Sequence, residues 1–355
     1  MAKKSQNFKV IADLPPPIQG IAIVSRWVIQ TLKDCGASVQ IINTSAREGV
    51  LYPISRLLKF IFAFFDVLAS RPKSTIYLAL SHGPTLFAQI AIVLACRAMK
   101  HRVIVHHHTF LPINQPDMLQ NYFCHKLLRK SVEHIFLSEY MRQEYLRVWN
   151  PEGDTWVISN HHAAHIRTIG QGNVPKIIGK GICYSGRLCS EKGFWDSAAV
   201  TRIILNTYTE MSVTFLGPTI ENRISREIES LCKDFPERFS YVAEYDESTL
   251  SAALQYSTYY LFPSRYSNEA SPLVVLEAQS LGNICLTSDV GSLRTDVLPP
   301  GVAVNIEEWQ SRVLNMIEMS SINPSNLYHF SNEIRKTSTM LSIRSVEQVK
   351  AVFRV

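Results

Sequence analysis

The feature that most constrains this chain is a repeated alternation of short apolar runs with longer helical segments. Runs such as KVIAD (9–13), SVQIIN (38–43) and RVIVH (102–106) are apolar, mostly rich in β-branched residues, and bounded by turn-forming or polar residues. This pattern is typical of buried strands. Because helical segments of ten or more residues separate many of these runs, the order predicts parallel sheets with crossover helices.

The alternation occurs twice, on either side of a polar, glycine-containing stretch at residues 160–181. At 355 residues, the chain is too long for one ordinary core. We therefore predict an α/β protein with two open α/β domains, residues 1–170 and 171–335, followed by a terminal helix over 336–355.

Two glutamates lie in or beside one strongly apolar helix. Ser271 is expected to cap this helix, Pro272 to begin it and Gly282 to end it. Glu277 then lies inside a largely buried helix, where a carboxylate needs a partner or a ligand, and Glu269 precedes it. Paired carboxylates also occur in glycoside hydrolases, but nothing in the sequence fixes the separation of these two.

Two cations follow the strand predicted at 182–186. Arg187 leaves its carboxyl end and Lys192 stands at the start of the next helix. Ligands of open α/β sheets bind at this edge, and a helix N-terminus adds to both charges, which favours a diphosphate clamp. From these residues alone, two solvated surface cations are the commoner explanation.

Gly20 immediately precedes the first predicted helix and leaves room for a phosphate or a sugar to approach the backbone. A glycine that merely lets the loop turn explains the sequence equally well. The G-x-G-x-x-G pattern is absent, which argues against a nicotinamide or flavin enzyme.

Three consecutive histidines, His106, His107 and His108, end the strand over 102–106. Strand alternation allows at most two of them to converge on one site. A second group follows at residues 161, 162 and 165, so zinc is an alternative. Because no Cys-x-x-Cys or His-Glu-x-x-His pattern accompanies them, no metal site is predicted.

Composition and charge add weaker constraints. The net charge of +6 and the pI near 8.9 favour anionic partners, although ordinary surface variation explains them equally well. The seven scattered cysteines resemble reduced thiols of a cytosolic protein, and no secretory signal or transmembrane helix is expected. The segment over 56–73 places Arg56, Lys59, Arg71 and Lys73 around an apolar helix. It fits either an anionic membrane surface or a core helix with charged ends.

Taken together, these loops resemble those of the retaining glycosyltransferases of family 4, which have the GT-B fold of two facing Rossmann-like domains with an interdomain cleft. YSGRLCSEKG (184–193) is similar to the glycine-arginine and glutamate-lysine-glycine signature of that family, and EASPLVVLE (269–277) matches its E-x7-E motif. PPPIQGIAIVSRWV (15–28) is similar to the glycine-bearing loop of bacterial polysaccharide-assembly members.

The resemblance implies a role for each candidate residue. Arg187 and Lys192 would hold the donor diphosphate in place of a metal, Glu277 the ribose and Glu269 the transferred sugar. His108, with His107 as second choice, would be the active-site histidine. The implied donor-binding set is Gly20, Arg187, Lys192, Glu269, Ser271, Pro272, Leu273 and Glu277.

The implied reaction moves a sugar from a nucleotide-sugar donor to a saccharide or lipid-linked saccharide, with retention of configuration. No cofactor, metal or nucleic acid is expected to take part. In such a fold, the terminal helix commonly crosses back to the first domain. The resemblance places the protein in bacterial surface-polysaccharide synthesis, in the cytoplasm or on the inner face of the plasma membrane. A sugar-nucleotide epimerase and a non-catalytic sugar-nucleotide-binding paralogue stay open as alternatives.

Overall fold

The computed structural model describes residues 7–46, 52–70, 73–130, 132–169, 180–322 and 325–355. Contacts within the chain define two compact units: Met1–Asn160 with Arg344–Val355, and His161–Ile343. The domain boundary predicted near residue 170 falls in a segment outside the described residues.

The first unit is built on a parallel sheet of six strands in its described residues, in the order β2-β1-β3-β4-β5-β6. Its elements are β1 (Asn7–Ala12), α1 (Gly20–Asp34), β2 (Ser38–Asn43), α2 (Tyr52–Leu68), β3 (Thr75–Ala79), α3 (Thr85–Ala98), β4 (Arg102–His106), α4 (Leu111–Asn114), α5 (Leu119–Leu128), β5 (Glu133–Phe136), α6 (Glu139–Trp149) and β6 (Thr155–Val157).

The second unit has a parallel sheet of the same size in its described part, in the order β12-β11-β10-β7-β8-β9. Its elements are α7 (His161–Ile169), β7 (Gly181–Ser185), a 3₁₀ turn (Ser190–Lys192), α8 (Phe194–Thr207), β8 (Ser212–Leu216), α9 (Asn222–Asp234), β9 (Phe239–Val242), α10 (Glu247–Tyr256), β10 (Tyr259–Phe262), α11 (Leu273–Ser280), β11 (Ile284–Ser288), α12 (Leu293–Asp296), β12 (Val302–Val304), α13 (Ile306–Ile322) and α14 (Ser325–Phe353).

The central strands are buried along nearly their whole length because helices cover both faces of each sheet. Every residue of β7, β10 and β11 is buried, which explains why these segments read as continuous apolar runs rather than alternating ones. The predicted α/β class with two parallel sheets is confirmed.

The end of α14 belongs to the first unit. Phe353 packs edge-on against Phe8, with ring centroids 5.6 Å apart, and lies 5.8 Å from the ring of Tyr77. Arg102 on β4 donates to the carbonyl oxygen of Val352 at 2.7 Å. These contacts tie the last helical turn to the sheet at β1, β3 and β4.

The polar stretch over 160–181, to which the sequence analysis assigned no helix or strand, includes a helix. Residues 161–169 form α7. Ala163, Ala164 and Thr168 are buried, and this helical spacing lets α7 pack closely against α11. The polar and histidine-rich composition of the segment obscured that short apolar stripe.

Candidate functional site

Loops at the carboxyl edge of the second sheet bring Lys192 and Glu269 together. Glu269 is buried in the loop after β10, and its Oε1 accepts from Lys192 Nζ and, at 2.9 Å, from Ser264 Oγ. Parallel strands direct the loops after β7 and β10 to the same edge, so residues 77 positions apart meet there. The sequence placed both residues in loops at this edge without pairing them.

Two glycines hold the Glu269 loop by close backbone approach. Gly193 has φ +75°, and a Cβ there would lie 1.8 Å from the carbonyl oxygen of Pro263. Gly291 has φ +53°, and a Cβ there would lie 1.8 Å from the carbonyl oxygen of Glu269. Any larger residue would displace the loop that carries Glu269.

The two predicted clamp cations differ in their surroundings. The Lys192 ammonium lies over the ring of Tyr266, 4.9 Å from its centroid, in addition to its contact with Glu269. Arg187 is exposed, and none of the ion pairs of the described residues in this unit involves it. The loop therefore presents one cation fixed by a carboxylate and one open to an incoming anion.

Glu277 is fully buried within α11 and pairs with a cation that sequence reasoning missed. Its Oε1 accepts from Arg167 Nη1, and Arg167 Nε also donates to Glu247 Oε1 at 3.0 Å. Glu277 Oε2 is buried with no hydrogen-bond partner among the described residues. The carboxylate thus keeps one oxygen free for a further donor, such as a hydroxyl group.

Burial dominates the electrostatics of Glu277. Removal from water raises the pKa of this carboxyl group from 4.5 to about 7, although the Arg167 guanidinium acts in the opposite direction. The positive charge of Arg167 and the donors of any ligand therefore decide whether Glu277 is ionised near neutral pH.

The start of α11 differs by one residue from the prediction. Pro272, with φ −67° and ψ 119°, is the N-cap, and Leu273 is the first helical residue. The Ser271 hydroxyl, predicted to cap the helix, instead donates to Asp296 Oδ2 at 2.8 Å. Burial raises the pKa of Asp296 to about 7, and a buried carboxyl group needs that donor.

In the first unit, histidines 106 and 107 point to opposite sides of the strand end, as alternation predicts. His106 Nδ1 lies 2.7 Å from the Tyr77 hydroxyl, whereas His107 Nε2 lies 2.9 Å from His134 Nδ1. His125 Nδ1 contacts the Tyr145 hydroxyl at 2.9 Å. These contacts form a buried network of imidazole and phenol groups.

His108, the predicted active-site histidine, lies beside His106 with ring centroids 4.2 Å apart. Its Nε2 is buried and has no hydrogen-bond partner among the described residues, and burial lowers its pKa to about 3. With Ser81, Thr109 and Asn121, it lines a small pocket beyond the end of β4. A neutral imidazole here can donate a hydrogen bond to a ligand hydroxyl or accept one from it.

Gly20 is exposed at the first position of α1. Its φ is not positive, and a Cβ there would meet nothing within 4 Å. Neither backbone conformation nor packing in the described structure requires a glycine, so the interpretation as a mere turn residue loses its physical basis.

Two cations expected around α2 turn away from its apolar surface. Arg56 Nη2 donates to Asp13 Oδ2 at 2.7 Å, and Lys59 Nζ donates to the carbonyl oxygen of Ser45. Lys73 is exposed, and Arg71 lies outside the described residues. Of the four cations named around this helix, these two are bound by polar groups after β1 and β2.

Within the described ranges, no three His, Cys, Asp or Glu side chains converge so that they could hold a metal ion. His162, from the second histidine group, contacts the Ser342 hydroxyl at 2.9 Å through Nδ1. No helix in the described part of the chain is both long and apolar enough to cross a bilayer.

A sequence profile connects the second unit to a known family. The family described as Glycosyl transferases group 1 matches residues 179–318, a segment that includes Arg187, Lys192, Glu269 and Glu277. The second unit therefore carries a glycosyl transferases group 1 domain. A search of curated protein sequences gave no match.

Solved structures match nearly the whole chain. A sucrose-phosphate synthase from Thermosynechococcus elongatus has a TM-score of 0.73 at 18% identity, over 98% of each chain. An α,α-trehalose-phosphate synthase (UDP-forming) from Burkholderia vietnamiensis has a TM-score of 0.69 at 13% identity, over 99% of this chain and 96% of that one.

Anabaena HepE, solved with UDP and glucose, has a TM-score of 0.64 at 11% identity, over 99% of this chain and 100% of that one. At such low identities these matches establish the fold alone. The predicted fold class, the α/β architecture of GT-B glycosyltransferases, is confirmed.

Proposed function

We propose that this protein is a metal-independent, retaining glycosyltransferase of family 4. It transfers a sugar from a nucleotide-sugar donor to a saccharide or lipid-linked saccharide in bacterial surface-polysaccharide synthesis. The observation that carries the proposal is the Lys192 and Glu269 pair, with the exposed Arg187 in the same connection between β7 and α8 as Lys192, within the segment that matches the glycosyl transferases group 1 profile. The cation of such a pair can bind the diphosphate of a nucleotide sugar, and the carboxylate can bind its sugar.

Donor binding would break the contact between Lys192 and Glu269. The diphosphate takes Lys192 and Arg187 as counter-ions, and Glu269, still bound by Ser264, accepts a hydrogen bond from a sugar hydroxyl. Glu277 Oε2, which lacks a partner among the described residues, accepts from the ribose. Ser271, Pro272 and Leu273 at the start of α11 place a helix N-terminus near the phosphates.

The reaction breaks the bond between the anomeric carbon and the phosphate oxygen. The bonding electrons pass to the leaving diphosphate, where Arg187 and Lys192 stabilise the developing charge more than they stabilise the ground state. The acceptor oxygen bonds to the anomeric carbon on the same face, and its proton passes to the leaving phosphate oxygen. His108 hydrogen-bonds the transferred sugar, and Gly20 leaves room for the donor.

Cytoplasmic synthesis of a surface polysaccharide uses acceptors on a membrane lipid, so residues 56–73 are included in the proposal as a peripheral contact with the anionic inner leaflet. The net charge of +6 agrees in sign with such a contact.

The first test measures thermal unfolding with UDP, GDP, ADP and CMP and their sugar conjugates, each with and without EDTA. UDP is the first choice because a similar fold was solved with it. A nucleotide at a hundred times its dissociation constant should stabilise the protein by about 2.7 kcal/mol. We expect the shift to be independent of EDTA and absent in Arg187→Ala/Lys192→Ala.

The matched control is Lys233→Ala/Arg312→Ala, which removes two exposed cations of the same unit. It should retain both the thermal shift and sugar transfer. NMR of the transferred sugar should show the donor's anomeric configuration. Turnover that survives the Arg187 and Lys192 substitutions would refute the clamp. Donor isomerisation without an acceptor would favour the epimerase, and nucleotide binding with no turnover on any acceptor would favour the binding paralogue.

A further inference from the structure

The outward surface of α2 is apolar instead of polar. Phe60, Ala63 and Val67 already face the core. The opposite stripe, at spacings of three and four, consists of Ile54, Leu57, Leu58, Ile61, Phe62 and Phe65, and Phe62 and Phe65 are each 62% exposed. A helix on the surface of a globular protein normally places polar residues on this side.

Two neighbouring helices continue this surface. α3 packs against both α2 and α5, as expected for successive crossover helices on one side of a parallel sheet. Phe87 and Leu94 are exposed on α3, and Leu119, Phe123 and Leu127 on α5. We call the outward side of α2, α3 and α5 the apolar face. With about a dozen large side chains roughly half exposed, it presents on the order of 1,000 Å² of apolar surface, more than a typical monomer leaves uncovered.

A basic groove adjoins the α5 end of the apolar face. It has a volume of about 700 Å³ and is lined by Arg97, Phe123, Lys126, Leu127, Arg129, Lys130 and Glu152. The four cations take part in none of the ion pairs of the described residues in this unit. Lys126 lies over the ring of Tyr122 and donates to its hydroxyl at 3.2 Å, so its stem covers apolar surface while its charge stays in water.

The charges on α2, α3, α5 and the basic groove indicate which kind of partner binds this surface. The three helices contain one acidic residue, Asp66, which is bound by Lys9 on β1. A second copy of the chain, docked by two-fold symmetry, would supply no carboxylate from these helices to the basic groove. A small free anion would leave the apolar side chains uncovered. An anionic lipid bilayer supplies both a negative headgroup layer and an apolar layer.

We propose that the first unit docks on anionic lipid bilayers through the apolar face, with Arg97, Lys126, Arg129 and Lys130 in the headgroup layer. This proposal extends the membrane contact expected for residues 56–73 to α3 and α5. The cations that bind the lipid headgroups are then those of the basic groove and not those of α2. The inference does not depend on the transferase proposal, since it uses no residue of the candidate catalytic site.

Flotation with phosphatidylcholine vesicles, with and without phosphatidylglycerol, tests the proposal at low and high salt. We expect strong binding only to the anionic vesicles, weakening as salt rises. Arg97→Gln/Lys126→Gln/Arg129→Gln/Lys130→Gln should reduce this binding by roughly several hundred-fold, since each of the four cations near an anionic surface contributes roughly fivefold. Phe62→Ser/Phe65→Ser should reduce it roughly tenfold or more.

The charge-matched control is Lys180→Gln/Arg226→Gln/Lys233→Gln/Arg312→Gln, which removes four exposed cations of the second unit and should bind as the wild type does. Thermal unfolding and nucleotide binding of each variant confirm folding and report on the second unit separately. A failure of membrane docking can therefore be distinguished from a failure of the transferase proposal.

Four outcomes would overturn the proposal. The first is wild-type protein that stays with the unbound fraction at low salt. The second is equal loss of binding in the groove variant and its control. The third is a protein dimer in the absence of lipid that Phe62→Ser/Phe65→Ser dissociates, which would show self-association through the apolar face. Full competition by inorganic phosphate, with the Phe variant unchanged, would indicate a free-anion site instead.

Discussion

Each unit buries a cluster of ionisable side chains. One cluster avoids charge, and the other balances negative charges with positive ones. In the first unit, the imidazoles of histidines 106, 107, 108, 125 and 134 contact one another, tyrosine hydroxyls and a backbone carbonyl. In the second unit, the carboxylates of Glu269 and Glu277 contact Lys192 and Arg167. The first cluster is neutral, and the second matches acidic groups with cations.

This difference gives the two clusters opposite responses to acid. Burial lowers the pKa of all five imidazoles, with His125 at about 3 and His134 at about 4. As pH falls below 6.5, the unfolded chain binds protons that the native cluster does not, so stability is lost. The raised pKa of Glu277 acts in reverse, because the native state binds its proton more tightly between pH 7 and 4.5.

The largest expected effect is acid unfolding of the first unit. Each buried imidazole should cost about 1 kcal/mol of unfolding free energy between pH 6.5 and 5.5, so five should cost roughly 5 kcal/mol. Hydrogen exchange resolved by peptide should show β4 and β5 losing protection over this range while β10 and β11 keep theirs.

Two variants sharpen this experiment. His125→Gln removes one buried imidazole and should make the loss of stability with acid shallower. The exposed His82→Gln should leave the slope as it is. Simultaneous loss of protection in both units would contradict the comparison.

The next largest effect is expected from Arg167→Met, which leaves Glu277 buried without its cation. We expect a loss of about 3–5 kcal/mol at pH 8, measured by urea unfolding. The loss should be smaller at pH 5, because a protonated Glu277 carries no charge to compensate. Arg167→Lys should recover part of the stability.

Glu247→Gln is the matched control, since it removes the other, half-exposed partner of Arg167. It should cost less than about 1 kcal/mol. Adding Glu277→Leu to Arg167→Met should restore much of the stability. If the double variant is as unstable as Arg167→Met alone, the pair is not what stabilises this region.

The smallest effect is expected for an ion pair on the surface. Arg142 and Glu139 pair within α6 at 2.5 Å, and the Glu139 side chain is half exposed. Arg142→Ala should change the unfolding free energy by no more than about 1 kcal/mol, and added salt should reduce the difference. If Arg142→Ala lowers the unfolding free energy as much as Arg167→Met does, burial does not explain the difference between the exposed pair and the buried pair.

The fold and the positions of several site residues follow from local patterns. The strands over 38–43 and 102–106 were predicted from apolar runs and their bounding residues, and the structure has both. Glu269 and Lys192 were placed correctly because each follows a strand, and parallel strands present their carboxyl ends at one edge.

Partners that depend on packing did not follow from the sequence. Arg167 lies 110 positions from Glu277, and no local signal links an arginine in a polar stretch to a buried helix. The sequence placed Arg56 beside an apolar helix without a partner, and the structure shows that Asp13 on another loop binds it. Such pairings arise only when separate helices and strands pack together.

The two glycines that press against the Glu269 loop have a consequence for how this site can change. Gly193 contacts the loop at the Pro263 carbonyl, and Gly291 contacts it at the Glu269 carbonyl. These main-chain contacts fix the position of the loop backbone at both ends. The exposed side chains between these two points, Arg265 and Ser267, can then change without moving the loop, whereas the buried Ser264 binds the Glu269 carboxylate. Point substitutions can therefore alter the surface beside Glu269 while the backbone keeps the carboxylate in place.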